Sequence, residues 1–192
     1  GGQTDISVVM EEIALVQLAQ GKPIDAIHTL DQSIEATNSA RSFTMKTEIQ
    51  RDKQQDLSAA LRTASEYRRE YPDQETPYLM LAGMMEMAGN KEGAKKVLRD
   101  GLEHVVGSIA LPYQLAVRLH RAGDTATAIK MYEMVLRLDP THVASLNNSA
   151  DIQANDGDLQ VAKMLASRAF ALAPESKSVA DTLGWIYFLS GE

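Results

Sequence analysis

The sequence has no cysteine, which excludes disulfide staples and thiolate metal sites. Aromatic residues are scarce, at 5%, and strands draw heavily on aromatic and β-branched residues. No apolar run approaches the ~18 residues that a membrane span needs; the richest, Tyr78 to Met85, ends at Glu86. Basic charge is in deficit, with 19 Lys and Arg against 26 Asp and Glu, a net charge of −7. That balance argues against nucleic acid or an acidic membrane as the partner. Gly1-Gly2-Gln3-Thr4 carry neither an initiator Met nor a basic-then-apolar leader. Residues 1–6 look like a cloning scar or linker, and the chain reads as a segment of a longer protein. What is present is an apolar fraction of 44%, enough for a folded core, in a composition that favours helix.

The residues repeat with a period of 34. A Gly followed by Asn, Asp or Glu stands at Gly89-Asn90, Gly123-Asp124, Gly157-Asp158 and Gly191-Glu192, and the same steps backward give Gln55-Asp56 and Gly21-Lys22. Five residues after each turn comes an alanine: Ala26, Ala60, Ala94, Ala128 and Ala162. Seven before it come Ala14, Glu48, Ala82, Ala116, Ala150 and Gly184. Glycine suits a left-handed helix end, and Asp or Asn suits the start of the next helix. Small residues on both sides of the turn allow two antiparallel helices to cross closely. Pro140 and Pro174 stop the second helix of their repeats, and Thr76-Pro77 reads as an N-cap followed by a first helical position.

A 34-residue helix–turn–helix unit with these small residues resembles the tetratricopeptide repeat (TPR). The match is closest in 109–142, through Leu115, Ala116, Gly123-Asp124, Ala128, Tyr132 and Pro140, and in the last half-repeat, through Leu183, Gly184, Tyr187 and Gly191. The resemblance implies an all-α, right-handed TPR superhelical solenoid over residues 7–192. Its repeats are 7–40, 41–74, 75–108, 109–142 and 143–176, with a half-repeat 177–192, giving eleven helices. In repeat 41–74, Thr44, Thr47, Glu48 and Arg51 replace apolar or small residues. Its first helix is therefore shifted by one, with Thr47 at the crossing, or partly exposed. Ser149 and Gln153 depart from the pattern in 143–176, so weaker packing is expected in both repeats.

TPR proteins bind peptides in a concave groove lined by the first helix of each repeat. Carried onto this sequence, that resemblance puts Met45, Ile49, Leu79, Glu86, Met87, Tyr113, Val117, His120, Arg121, Asn147, Asn148, Asp151 and Asn155 in a partner-binding groove. Glu11, Leu15, Leu18 and Asp52 hold groove positions too. Tyr113, His120 and Arg121 share a face at i, i+7, i+8, which suits an aromatic contact and a carboxylate-pairing arginine. The asparagines either hydrogen-bond a ligand backbone or serve packing. Met80, Met84, Met85 and Met87 either fill core gaps or, around Gly83, form an adaptable binding surface with Met80 and Met87 on the groove side. The dicarboxylate clamp of chaperone-binding TPR domains is missing, because the position of its first lysine holds Glu11, Met45, Leu79, Tyr113, Asn147 and Asp181. Charge is uneven: residues 1–40 hold one Lys against six acids. The basic cluster Arg41, Lys46, Arg51 and Lys53 reads as a charged exposed face.

No catalytic machinery is legible. His28, His104, His120 and His142 fall at unrelated phases with no i, i+4 pair, so no metal site or other cofactor is expected. There is no glycine-rich phosphate loop and no Gly-x-Ser-x-Gly elbow. Glu11-Glu12 reads as solvated surface charge. Trp185-Ile186-Tyr187-Phe188-Leu189 is too apolar for a polar solenoid cap, so Trp185, Phe188 and Leu189 are expected to be exposed and to favour self-association. The stretch from Leu146 through Pro174 to Tyr187 is similar to bacterial TPR lipoproteins of exopolysaccharide export and exosortase systems. That similarity implies a place in the periplasm or at the outer membrane; without it the cytoplasm is the default. The expected function is a non-catalytic scaffold binding a protein or peptide, without nucleic acid or membrane insertion. The rivals are the TPR arm of a larger enzyme, and a self-assembling spacer that uses its convex face and ends.

Overall fold

The computed structural model describes residues 2–191, with side chains from residue 6 onward; Gly1 and Glu192, which belong to the expected scar and the last turn, lie outside the described residues. Among the described residues there are eleven helices and no strand: α1 Gly2–Ala19, α2 Pro23–Thr37, α3 Ala40–Asp52, α4 Leu57–Glu70, α5 Glu75–Met87, α6 Lys91–His104, α7 Ala110–Arg121, α8 Thr125–Leu138, α9 Val143–Asn155, α10 Leu159–Leu172 and α11 Lys177–Leu189. They fall into two compact units, 1–106 and 107–192, where the repeat arithmetic gives one run. Residues 2–6 are helical, as the first turns of α1; extending a nucleated helix is inexpensive. None of the described helices is long and apolar enough to cross a membrane.

The turns follow the period. Gly21, Gly89, Gly123, Gly157 and Gly191 all have positive φ, and Gln55 takes the same left-handed place at φ 54°. At four of these turns the next residue caps the following helix with its side chain; Lys22 makes no such bond. The carboxylates of Asp56, Asp124 and Asp158 and the amide oxygen of Asn90 accept from the N–H three residues on, at 2.8 to 3.2 Å. Such caps are worth about 1 kcal/mol each. The second helices α8 and α10 end two residues before Pro140 and Pro174. Helix α5 starts at Glu75 with Gln74 as its cap, two residues ahead of the expected start at Pro77. Proline is accommodated there because N–H groups of a first turn have no intrahelical acceptor.

The small residues are buried as the crossing argument requires. Ala14, Ala82, Ala116 and Ala150 on first helices are fully buried, and so are Ala26, Ala60, Ala94, Ala128 and Ala162 on second helices. Gly184 is the exception and is exposed. Helix α3 departs from register by one residue. The Asp56 N–H bonds to Gln50 six residues back, whereas Lys22, Asn90, Asp124 and Asp158 bond five back. The extra loop residue rotates α3, so Thr47 is fully buried at the crossing while Glu48 is exposed. The Thr47 hydroxyl donates to the Phe43 carbonyl at 2.7 Å, which satisfies it inside the core. In α9, Ser149 is buried with no hydrogen bond to its Oγ among the described residues.

Within each unit, consecutive helices pack on one another. In the first unit Ala14, Ala26, Leu30 and Ile49 form one apolar cluster. In the second, Ala150, Ala154, Ala162, Ala166 and Ile186 form another, and Leu146, Ala169 and Val179 a third. Each fully buried Leu, Ile or Val side chain in them contributes about 1.5–3 kcal/mol.

Candidate functional site

In the second unit, α7 and α9 are both first helices, and they present a mixed aromatic and polar face over Tyr132 of α8. Tyr132 is fully buried. Burial pushes its hydroxyl up to about 12, against a smaller opposing effect from Asn148. The Asn148 amide donates to the Tyr132 oxygen at 3.1 Å, which fixes that side chain between α8 and α9. The half-buried ring of Tyr113 lies 6.2 Å from the Tyr132 ring and 4.9 Å from the His142 ring. His142 caps α9, its Nδ1 accepting from the Ser145 N–H at 3.2 Å.

Two turns further along α7, His120 Nε2 stands 3.6 Å from Asp151 Oδ2 on α9. Arg121 is exposed beside this pair, and its charge is felt at the Tyr132 hydroxyl. Tyr113, His120, Arg121, Asn148 and Asp151 are thus brought together. The face combines an aromatic platform with a cation, a carboxylate and an amide, the means to hold both a side chain and the polar backbone of a peptide.

The remaining expected residues divide. Val117 is half-buried and Asn155 is exposed. Asn147, expected to line the groove, is only 8% exposed, because its turn of α9 faces its neighbours; its Oδ1 takes no hydrogen bond among the described residues. Tyr132 and His142 were missed as site residues. Tyr132 was visible only as a repeat-pattern position, and nothing in the sequence distinguishes a capping histidine that also meets an aromatic ring. Among the described residues no three His, Asp or Glu side chains converge as a metal site would require.

The first unit offers a separate feature. A hollow of about 210 Å³ is lined by Leu15, Leu18, Met45, Glu48, Ile49, Asp52 and Lys53. Met45 and Ile49 both line it, and Ile49 is a core residue, 4% exposed, that forms the floor. At the rim Arg51 donates twice to Asp52, at 2.6 and 2.7 Å, and this bonding holds the Asp52 carboxyl below its ordinary range. Leu79, Glu86 and Met87 on α5 are not among its lining residues. Leu79 and Glu86 are half-buried and Met87 is exposed.

Glu11 contradicts the reading of Glu11-Glu12 as solvated charge. Glu12 is exposed, but the Glu11 side chain is 2% exposed, and Arg41 approaches it to 3.3 Å. At the far end, Ile186 is buried while Trp185, Phe188 and Leu189 are exposed. The Trp185 and Phe188 rings stack at 5.5 Å.

No family model matches the sequence, and no curated protein matches it. Solved structures do match. A tetratricopeptide repeat protein from Parabacteroides merdae superposes with a TM-score of 0.73 at 15% identity, over 100% of this chain and 75% of that one. The fold is that of the tetratricopeptide repeat. YrrB, described as a TPR protein with an unusual peptide-binding site, superposes with a TM-score of 0.67 at 15% identity, over 90% of this chain and 89% of its own. MamA gives 0.69 at 15% identity, over 85% and 95%. At such identities the likeness establishes this TPR architecture and nothing of the chemistry.

Proposed function

We propose that the protein is a non-catalytic scaffold that holds a peptide segment of a partner protein against the first helices of its repeats. The observation that carries this reading is the Tyr113 platform. Its half-buried ring packs on Tyr132 and His142 next to the His120–Asp151 pair and the exposed Arg121. A rigid aromatic flanked by charges of both signs has the composition of a binding hot spot. The peptide-binding site in the description of YrrB supports the same use of the fold. In the first unit, the apolar hollow at Met45 and Ile49 suits an aliphatic anchor side chain. The similarity of residues 146–187 to lipoproteins of exopolysaccharide export supports a bacterial envelope assembly as the setting.

The test is affinity capture from the source organism's lysate with the wild-type chain and with a Tyr113→Ala, Arg121→Ala variant. A partner held by the first and lost by the second is the expected result. Partners shared equally by both overturn this assignment of the face and favour a spacer that uses other surfaces.

A further inference from the structure

We propose that His142 is a pH-sensitive support for the Tyr113 ring: when neutral it caps α9 and walls that ring, and when protonated it leaves both and turns to Asp139. The use of this exchange rests on the peptide-binding reading above, since acid then loosens the platform that holds the peptide. The exchange itself stands on the geometry of α7, α8 and α9.

Elsewhere serine caps a first helix. Ser39 Oγ accepts from the Ser42 N–H at 3.3 Å at the start of α3, and Ser108 Oγ accepts from the Leu111 N–H at 3.0 Å at the start of α7. His142 stands 34 residues after Ser108 and fills the same place with an imidazole. Its Nδ1 accepts from the Ser145 N–H at 3.2 Å, and only an unprotonated ring nitrogen accepts. The proton of the neutral ring is therefore on Nε2. A serine cap is indifferent to pH, whereas histidine ordinarily changes charge between about pH 5 and 8. Protonation turns Nδ1 from acceptor to donor and sets a cation on the N-terminus of α9, where the helix dipole opposes it. Release is inexpensive, because the same N–H also reaches the His142 carbonyl at 3.1 Å.

A second partner for the protonated ring lies in the same loop. The titratable and charged groups around His142 come from three elements. Tyr113 of α7 brings its ring to 4.9 Å. Arg168 of α10 donates to the Pro140 carbonyl at 3.1 Å. Asp139 follows the end of α8, and its carbonyl accepts from the His142 N–H at 3.2 Å, so both side chains leave one tight turn. The first turn of α9 adds no acid. The Asp139 carboxyl is held below its ordinary range, first by the Thr141 hydroxyl and backbone N–H and then by His142, so it stays ionised from about pH 5 to 8. Both Thr141 bonds go to Oδ1, at 2.7 and 2.9 Å, which leaves Oδ2 to meet an imidazolium. Once the His142 ring departs, Tyr113 keeps only the Tyr132 ring at 6.2 Å.

The experiment is NMR on the uniformly labelled full chain, followed from about pH 8 to about pH 5. It needs no partner, so failure of the exchange is distinguishable from failure of the peptide-binding reading. At the alkaline end the expected result is a His142 proton on Nε2 alone, with a cross-peak between the His142 and Tyr113 rings. Acid is expected to protonate Nδ1, erase that cross-peak and shift the Tyr113 ring and Ser145 amide signals with one midpoint. His142→Ser keeps a cap of the Ser108 kind and abolishes the shift. His120→Gln keeps it, which separates the exchange from titration of His120 beside Asp151. Asp139→Asn retains the cross-peak in acid. A proton on Nδ1 at the alkaline end, a wild-type cross-peak that survives acid, or Tyr113 signals that move equally in His142→Ser overturns the proposal. Loss of the cross-peak in Asp139→Asn just as in wild type also overturns it, since the ring then does not turn to Asp139.

Discussion

The carboxylate of Glu11 on α1 accepts a hydrogen bond from the Ser42 hydroxyl on α3 at 3.0 Å. Ser39 donates to the same oxygen at 2.6 Å, and Arg41 faces the other oxygen at 3.3 Å. A carboxylate is costly to bury, and this one persists because each oxygen has a donor. It joins the first helices of two successive repeats. Glu11→Ala removes the acceptor and leaves the buried Ser42 hydroxyl with only Ser33. The expected cost is about 2–4 kcal/mol, read by urea denaturation. Arg41→Ala, at the more exposed end of the pair, is expected to cost less. Equal and small effects would show that Glu11 is not held as described.

Gln55 occupies a left-handed turn that glycine occupies at Gly21 and Gly89. A side chain there is strained by roughly 1–2 kcal/mol. Gln55→Gly is therefore expected to stabilise the chain by about 1 kcal/mol, while Gly89→Ala destabilises it. Thermal melts of the two variants beside wild type check both signs.

Ala128 is fully buried where α7 and α8 cross. Ala128→Leu forces the helices apart and is expected to destabilise by about 1–3 kcal/mol. An unchanged melting temperature would mean that the crossing tolerates a large residue.

Tyr132 titrates at about 12 in the folded chain, above its ordinary 10, chiefly because it is buried. Its folded form keeps the proton where the unfolded form has lost it. Its contribution to stability is full below pH 10 and is lost as pH rises toward 12. Tyr132→Phe is expected to flatten the fall in stability across that window. It also removes the acceptor of Asn148, so it is expected to be less stable than wild type at neutral pH. Denaturation at pH 8, 10 and 11 separates the two effects.

The 34-residue period was legible because backbone needs recur in every repeat. A left-handed turn selects glycine, a helix start selects Asp or Asn, and a close crossing selects alanine. Those needs placed the turns, the caps and the buried alanines. The extra residue in the loop after α3 was harder to read, since Gln55 keeps the turn in phase while the helix before it rotates. Thr47 at the crossing was nonetheless one of the two readings its residues allowed. Site residues were less legible because a family's groove positions fix a helix face without fixing its burial. Ile49 and Asn147 sit on such positions and are buried. Glu11 looked like one of two adjacent surface acids, and only the approach of Ser39, Ser42 and Arg41 from α3 shows why it is inside.

The most direct test of the peptide-binding account is site-specific photocrosslinking in the source organism. One variant carries a photoreactive phenylalanine analogue in place of Tyr113, on the first helix of its repeat. A second carries it in place of Arg137, exposed on the second helix of the same repeat. The account predicts a discrete crosslinked partner from position 113 that is absent from position 137. A partner captured from position 137 and not from position 113 would contradict it.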